Sequence, residues 1–217
     1  MQPEPTVLAF DTSAAHCAAA LLIGDRVVQR IDEMAKGQAE HLMPMLTSLL
    51  AENGLDWPDL DAIGVGIGPG NFTGIRISVA AARGLALGLG VPAIGVSSFE
   101  AAAFGIKRPV LASVMAPRQH HYTQWIDEPT LSEPHFSECS EIPQSLQSSG
   151  CTCVGYGAEA NAKAIGANWA PATVSLIEGI ARVAASRVST PQPRPAPLYV
   201  RPADAAPSSD PPPVILP

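Results

Sequence analysis

The sequence predicts an α/β fold in two lobes, the second smaller than the first. Three consecutive strand patterns joined by short polar turns fill residues 6–33, an opening that a purely parallel, doubly wound sheet does not have. Strand and helix patterns then alternate to about residue 104. From about residue 106 a second group of shorter strand and helix patterns follows, ahead of a proline-rich end.

The apolar run Val7 to Phe10 is the first strand, followed by polar Asp11-Thr12-Ser13 and by a second strand from Cys17 to Ile23. Gly24-Asp25 is a hairpin turn signal, and Arg26 to Glu33 alternates as a third strand. A helix is predicted over about Gln38 to Asn53, where Leu42, Met45, Leu46, Leu49 and Leu50 recur at three- and four-residue spacing. Asn53-Gly54 ends it, and Pro44 in its second turn removes one hydrogen bond and predicts a bend. Ala62 to Ile67 has the continuous apolar run of a buried strand. Gly68 to Gly74 turns that strand into a helix over Phe72 to Leu89, closed by Gly90 and Pro92. This helix is crowded with small residues, Gly74, Ser78, Ala80, Ala81, Ala82, Gly84, Ala86 and Gly88. Each glycine costs about 1 kcal/mol against alanine in a helix, so close packing on more than one face is expected to offset it. Pro92 to Val96 is a further strand, leading into a helix capped at Ser97 or Ser98 with Glu100 in its first turn.

Beyond Ile106, Val110 to Met115 and His121 to Ile126 read as paired strands, Cys153 to Tyr156 as a later strand, and Glu159 to Ile165 and Ser175 to Val188 as helices. The Ser/Pro/Gln-rich stretch from Glu128 to Ser149 is assigned no element. Ten of the 22 prolines fall from Pro191 onward, which predicts an extended tail without a core of its own. The expected division is therefore a first lobe over 1–105, a smaller second lobe over 106–190 and a tail over 191–217.

At 217 residues, 47% hydrophobic but only 5% aromatic, the chain must build its core from Ala, Val, Leu and Ile. A formal charge of -7 and a pI near 5.1 argue against a surface that holds bare nucleic acid by neutralising phosphates; any RNA would need a partner to grip it. No uninterrupted apolar run approaches the ~20 residues of a membrane span. The opening Met1-Gln-Pro-Glu-Pro5 lacks the basic region of a secretion signal, so a cytoplasmic location without membrane attachment is expected. Cys17, Cys139, Cys151 and Cys153 are too few and too scattered for a disulfide framework, and free thiols in a reducing cytosol fit best.

Asp11-Thr12-Ser13, between two strands, brings together hydroxyls, N–H groups and a carboxylate. Such a turn suits a phosphate or hydrated metal ion, or is simply an Asx turn. The loop Gly68-Pro-Gly70-Asn-Phe-Thr-Gly74 places N–H groups and a helix dipole where an anion is favoured, or is a tight turn with an N-cap at Asn71 or Thr73. It lacks the Gly-Lys-Ser/Thr of a Walker loop and the spacing of G-x-G-x-x-G. Glu40-His41 has no second histidine one turn away, and His120-His121 point to opposite faces of a strand, so surface or packing roles are expected for these histidines. Ser13, Ser97 and Ser98 have no G-x-S-x-G context.

Taken together, Asp11-Thr12-Ser13 after a strand, Glu40-His41-x-x-Pro44, Gly68-Pro-Gly-Asn-Phe-Thr-Gly-Ile-Arg76, Gly84-Leu-Ala86 and Gly95-Val-Ser97-Ser98 resemble the bacterial TsaB (YeaZ) family. The resemblance covers about Val7 to Phe104, with Leu198-Tyr-Val-Arg201 similar to the family's closing P-x-Y-[LV]-R element. It implies ribonuclease H-like lobes of the actin, sugar kinase and heat-shock chaperone superfamily, and a dimerisation subunit without catalysis. The product would be N6-threonylcarbamoyladenosine at position 37 of tRNAs reading codons that begin with A. The resemblance names TsaD, the transferring paralogue, as direct partner and TsaE as a further member. By the same resemblance tRNA would be reached through TsaD, and a homodimer could form when the chain is alone. No cofactor is required by the chain itself, ATP or ADP being left to the assembled complex.

TsaD-type transferases carry H-x-E-x-H, which this sequence lacks, and no metal site is expected. Where relatives have Asp-Ala-Arg after the first strand of the second lobe, this chain has Met115-Ala116-Pro117-Arg118. Asp11, Thr12, Ser13, Gly68 and Gly70 are then a vestigial phosphate site, and no residue is assigned to catalysis. Small or apolar residues beyond one core stripe predict that the two long helices also meet another subunit. The expected partner surface is His41, Met43, Met45, Thr73, Arg76, Ala80, Ala81 and Arg83. Two other readings stand beside this one, an ATP-binding phosphotransferase of the same fold and a glycopeptidase-like hydrolase.

Overall fold

The computed structural model describes residues 4–127, 130–138, 141–147 and 150–200. Cys139, Arg201 of the closing element and the rest of the tail to 217 lie outside the described residues.

The first sheet has the order β3-β2-β1-β4-β5. Strands β1 (Thr6–Asp11), β2 (His16–Ile23) and β3 (Arg26–Glu33) form an antiparallel meander, whose second turn takes Gly24 through φ +58°. β4 (Ala62–Gly66) and β5 (Ala93–Val96) add in parallel beside β1, so the sheet is mixed, as the sequence predicts. β1 lies in the middle and is buried on both faces, and its alternation divides the core. Leu8 and Phe10 face α1 (Gln38–Glu52) and α2 (Phe72–Leu89), while Val7 and Ala9 face the helices of the other layer. The leucine stripe of α1 is the buried one, and Met45 is part of it at 1% exposure. α2 starts on an Asn71 cap, whose Oδ1 accepts from the Gly74 N–H, and stops at Gly90 in the left-handed region.

The second sheet repeats this plan. β6 (Val110–Met115) lies in the middle, antiparallel to β7 (His120–Asp127) and parallel to β10 (Thr152–Gly155). β8 (Thr130–Leu131) and β9 (His135–Glu138) pair with β7, and β11 (Asn168–Trp169) with β10. A strand followed by two antiparallel neighbours on one side and two parallel ones on the other is the ribonuclease H-like plan, present twice. The second copy is the reduced one. Among the described residues, a 3-10 turn, Gln144–Leu146, takes the place of α1 in chain order, and α4 (Ala158–Ile165) has 8 residues against the 18 of α2.

One helix assigned from sequence to the second lobe belongs elsewhere. α5 (Leu176–Ser186) lays Ile177, Ile180, Ala181 and Ala184 on the open face of the first sheet, with Ala184 directly over Gly64 of β4. The short α3 (Ser98–Ala102), closed by a Ser97–Glu100 capping box, joins the layers. Its Ala101 packs with α5 and its Phe99 enters the core of the second sheet. The 106–190 stretch therefore supplies both sheets with packing surface. After α5 the chain runs extended across both units: Pro195 lies against Gly95, the Leu198 N–H donates to the Ile67 carbonyl at 2.8 Å, and Leu198 and Val200 pack on the second core.

Candidate functional site

The turn after β1 is built from buried polar groups. Asp11, Thr12 and Ser13 are 2%, 0% and 7% exposed. The Ser13 N–H and hydroxyl both donate to Asp11 Oδ2, at 3.0 and 2.8 Å, which is an Asx turn closed by its own serine. His16, across the hairpin, brings Nε2 within 3.4 Å of the same oxygen. That hydrogen bond raises the His16 pKa above its ordinary value against the opposing effect of burial, with the Asp11 and Glu33 charges adding to it. Among the described residues, Asp11 Oδ1 has no hydrogen-bond partner.

The glycine loop presses onto this turn. Thr12 Oγ1 donates to the Gly74 carbonyl at 2.7 Å, and the Asn71 N–H donates to the Ser13 carbonyl at 2.6 Å. A side chain at Gly66 would collide with Asp11, one at Gly70 with Ser13, and one at Gly74 with the Thr12 carbonyl. Gly70 is thus brought to the Asp11–Ser13 turn, whereas Gly68, at φ +94°, sits apart against Ile75 and the Leu198 carbonyl. Within the glycine loop, the N–H groups of Asn71 and Gly74 are bonded to the chain itself.

The second candidate surface is the outward side of α1 and α2. Thr73, Arg76, Ala80 and Arg83 are all exposed on one stripe of α2, and Leu87 continues it at 84% exposure. On α1, Met43 is 38% exposed and half-buried His41 is held by Asp32 of β3, Nε2 to Oδ2 at 2.6 Å. Two expected members do not belong to this surface. Met45 faces the sheet, and Ala81 is half-buried against the same core, one residue round the helix from Ala80. Sequence reasoning passed over Leu87, although it lies four residues after Arg83 on the same stripe. Tyr199, in sequence only one residue of the Leu198–Arg201 motif, joins this surface. Its ring packs on Phe72 at 4.8 Å between centroids, and its hydroxyl accepts from Arg76 Nε at 2.9 Å.

Elsewhere, His120 stacks on Phe136, and buried His121 bonds Ser137 Oγ through Nε2 at 3.0 Å, so both histidines have packing roles. Met115, where relatives were expected to carry a carboxylate, is 64% exposed at the end of β6. Among the described residues no three His, Cys, Asp or Glu side chains are grouped to hold a metal ion. α2 has the length and apolar composition of a membrane span, but it turns Ile75, Ser78, Val79 and Ala82 to the sheet and Arg76 and Arg83 outward.

Residues 32–126 match the family described as TsaD, tRNA N6-adenosine threonylcarbamoyltransferase. The tRNA threonylcarbamoyladenosine biosynthesis protein TsaB of Haemophilus influenzae is 33% identical over 174 residues, 76% of this chain and 73% of that protein. The protein of the same name from Escherichia coli is 36% identical over 102 residues, 47% of this chain and 44% of its own length. YeaZ from Pseudomonas aeruginosa superposes with a TM-score of 0.67 at 24% identity, over 90% of this chain and 99% of that one.

Proposed function

Because the chain belongs to the TsaB family, we propose that it serves the biosynthesis of threonylcarbamoyladenosine in tRNA as a subunit without catalysis of its own. In this reading it binds a TsaD-type transferase in the cytoplasm through the outward face of α1 and α2, and the transferase holds the tRNA. The observation that carries it is the exposed stripe of α2. A fully solvated helix face is normally rich in charge, yet here Ala80 lies open between Arg76 and Arg83, and Gly84 and Leu87 lie open just beyond them. Small side chains let a second helix approach closely, and an exposed leucine gives it an apolar anchor. TsaE, a self-dimer in the absence of the transferase, and ATP or ADP within the assembly belong to the same proposal. The charge of -7 agrees with RNA being held by the partner.

A phosphotransferase reading has one observation in its favour, the buried and unpartnered Asp11 Oδ1. The engagement of Asn71, Gly70 and Gly74 with the Asp11–Ser13 turn speaks against it, since a phosphate would have to displace the chain's own contacts.

The test is a pull-down with the TsaD-type transferase of the same cell. Ala80→Trp is expected to abolish capture with an unchanged circular dichroism spectrum, whereas Ala81→Trp is expected to disturb the fold by overpacking. Capture of folded Ala80→Trp at the wild-type level places the interface elsewhere. ATP turnover by the purified chain that is lost in Asp11→Ala would establish the phosphotransferase instead.

A further inference from the structure

We propose that Tyr199 is a positioning residue that holds the Arg76 guanidinium ready to clamp a carboxylate on a helix of the partner transferase, which makes the C-terminal segment part of the docking surface. The inference rests on the partner reading above and adds to it a residue, a chemistry and a second chain segment.

Arg76 is held from two sides. Its guanidinium carbon lies 3.8 Å from the centroid of the Phe72 ring one turn earlier, and Nε donates to the Tyr199 hydroxyl at 2.9 Å. The Tyr199 ring in turn packs on Phe72, and the neighbouring Leu198 N–H is bonded to the Ile67 carbonyl, so the tyrosine is carried on an anchored backbone. This uses the Nε edge of the guanidinium, and among the described residues both terminal amino groups are open. No carboxylate among the described residues pairs with Arg76. An exposed arginine ordinarily loses rotamer freedom when it binds; one already fixed by two rings and a hydroxyl loses less.

The open edge is suited to end-on, bidentate binding of a carboxylate. Arg83 follows two turns later on the same stripe, about 10 Å along the axis by helix rise. Ala80 lies between them, and Leu87 beyond. Two cations bracketing a small-residue saddle fit a helix with acidic side chains two turns apart. The C-terminal segment flanks the far end of α2 as well, where Arg194 and Pro195 line a groove of about 610 Å³ with Arg83 and Leu87. An RNA backbone is the poorer occupant, because the chain is acidic overall and the saddle is apolar.

The test is a double-mutant cycle on affinity for the transferase, measured by titration calorimetry with folding followed by thermal unfolding. Arg76→Ala is expected to weaken binding about tenfold, and Arg76→Lys to recover only part of it. Tyr199→Phe keeps the ring stack and the fold and is expected to cost about threefold, a loss that vanishes when Arg76 is already alanine. A purely structural role for Tyr199 gives the same loss in both backgrounds and overturns the proposal. So does wild-type affinity in Arg76→Ala, or an Arg76→Ala defect seen in tRNA binding by the chain alone and not with the transferase. Wild-type protein that fails to bind the transferase at all defeats the parent reading, an outcome distinct from these.

Discussion

Asp11 Oδ1 occupies the space that a side chain at Gly66 would need. The two residues end the parallel strands β1 and β4, whose last paired positions are Phe10 and Val65. The carboxylate is fixed from its other oxygen by Ser13, so it cannot swing aside without breaking the Asx turn. Gly66→Ala is therefore expected to destabilise the protein by about 2–4 kcal/mol, through overpacking and loss of a buried hydrogen-bonded turn. Urea unfolding would show this as a lower midpoint. Adding Asp11→Ala should return part of the loss; a Gly66→Ala midpoint equal to wild type would mean that the sheet relaxes at no cost.

The two methionines of α1 separate core from surface. Met45 is 1% exposed beneath the helix and Met43 is 38% exposed above it. Met45→Ala is expected to cost about 2–4 kcal/mol in unfolding free energy, with Met43→Ala within about 0.5 kcal/mol of wild type. Comparable costs for both would contradict the orientation of the helix.

His16 should make stability depend on pH in a defined direction. Its pKa is raised in the folded protein, chiefly by the hydrogen bond to Asp11, so its contribution is complete below its ordinary value of 6.5 and is lost as pH rises through the raised value. Buried His121 works the other way: burial lowers its pKa, so the protein loses stability from that residue as pH falls below 6.5. The stability difference between wild type and His16→Gln isolates the first effect. It is expected to shrink as pH rises above 6.5, and a difference that stays constant as pH rises would exclude a charged His16–Asp11 pair.

Three thiols should be silent in the native state. Cys17, Cys151 and Cys153 are all buried, and burial pushes the Cys17 thiol up to about 11. Iodoacetamide near neutral pH is expected to leave them unmodified in folded protein and to label all three in denaturant, as read by peptide mass spectrometry. Rapid native labelling of Cys17 would show that the β2–α1 packing opens.

Local pattern was enough for much of this fold. The hairpin at Gly24-Asp25, the leucine stripe of α1 and the limits of α2 between Asn71 and Gly90 depend on turn chemistry, apolar period and caps that lie within a few residues of one another. β8, β9 and β11 are two to four residues long, too short to show a period, and were not assigned. Met45 stood on both the core stripe and the expected partner face, and only the position of the sheet decides between them. Ala80 and Ala81 are indistinguishable by composition in a helix that is small on every side.

The family motifs and the order of the longer elements were determined by the sequence alone, since both are written in neighbouring residues. Tertiary structure decided what lies far apart along the chain. It turned the anion-like loop of Asn71 and Gly74 inward onto Thr12 and Ser13, and it sent α5 from the second half of the chain back over Gly64. It also set Tyr199 on Arg76, 123 positions away. The Asp11–His16 contact follows from a hairpin register across the strand pair. Periodicity tells which face of an element is apolar, but which other element covers that face is settled by packing the whole chain, where volume and buried hydrogen bonds must be satisfied together.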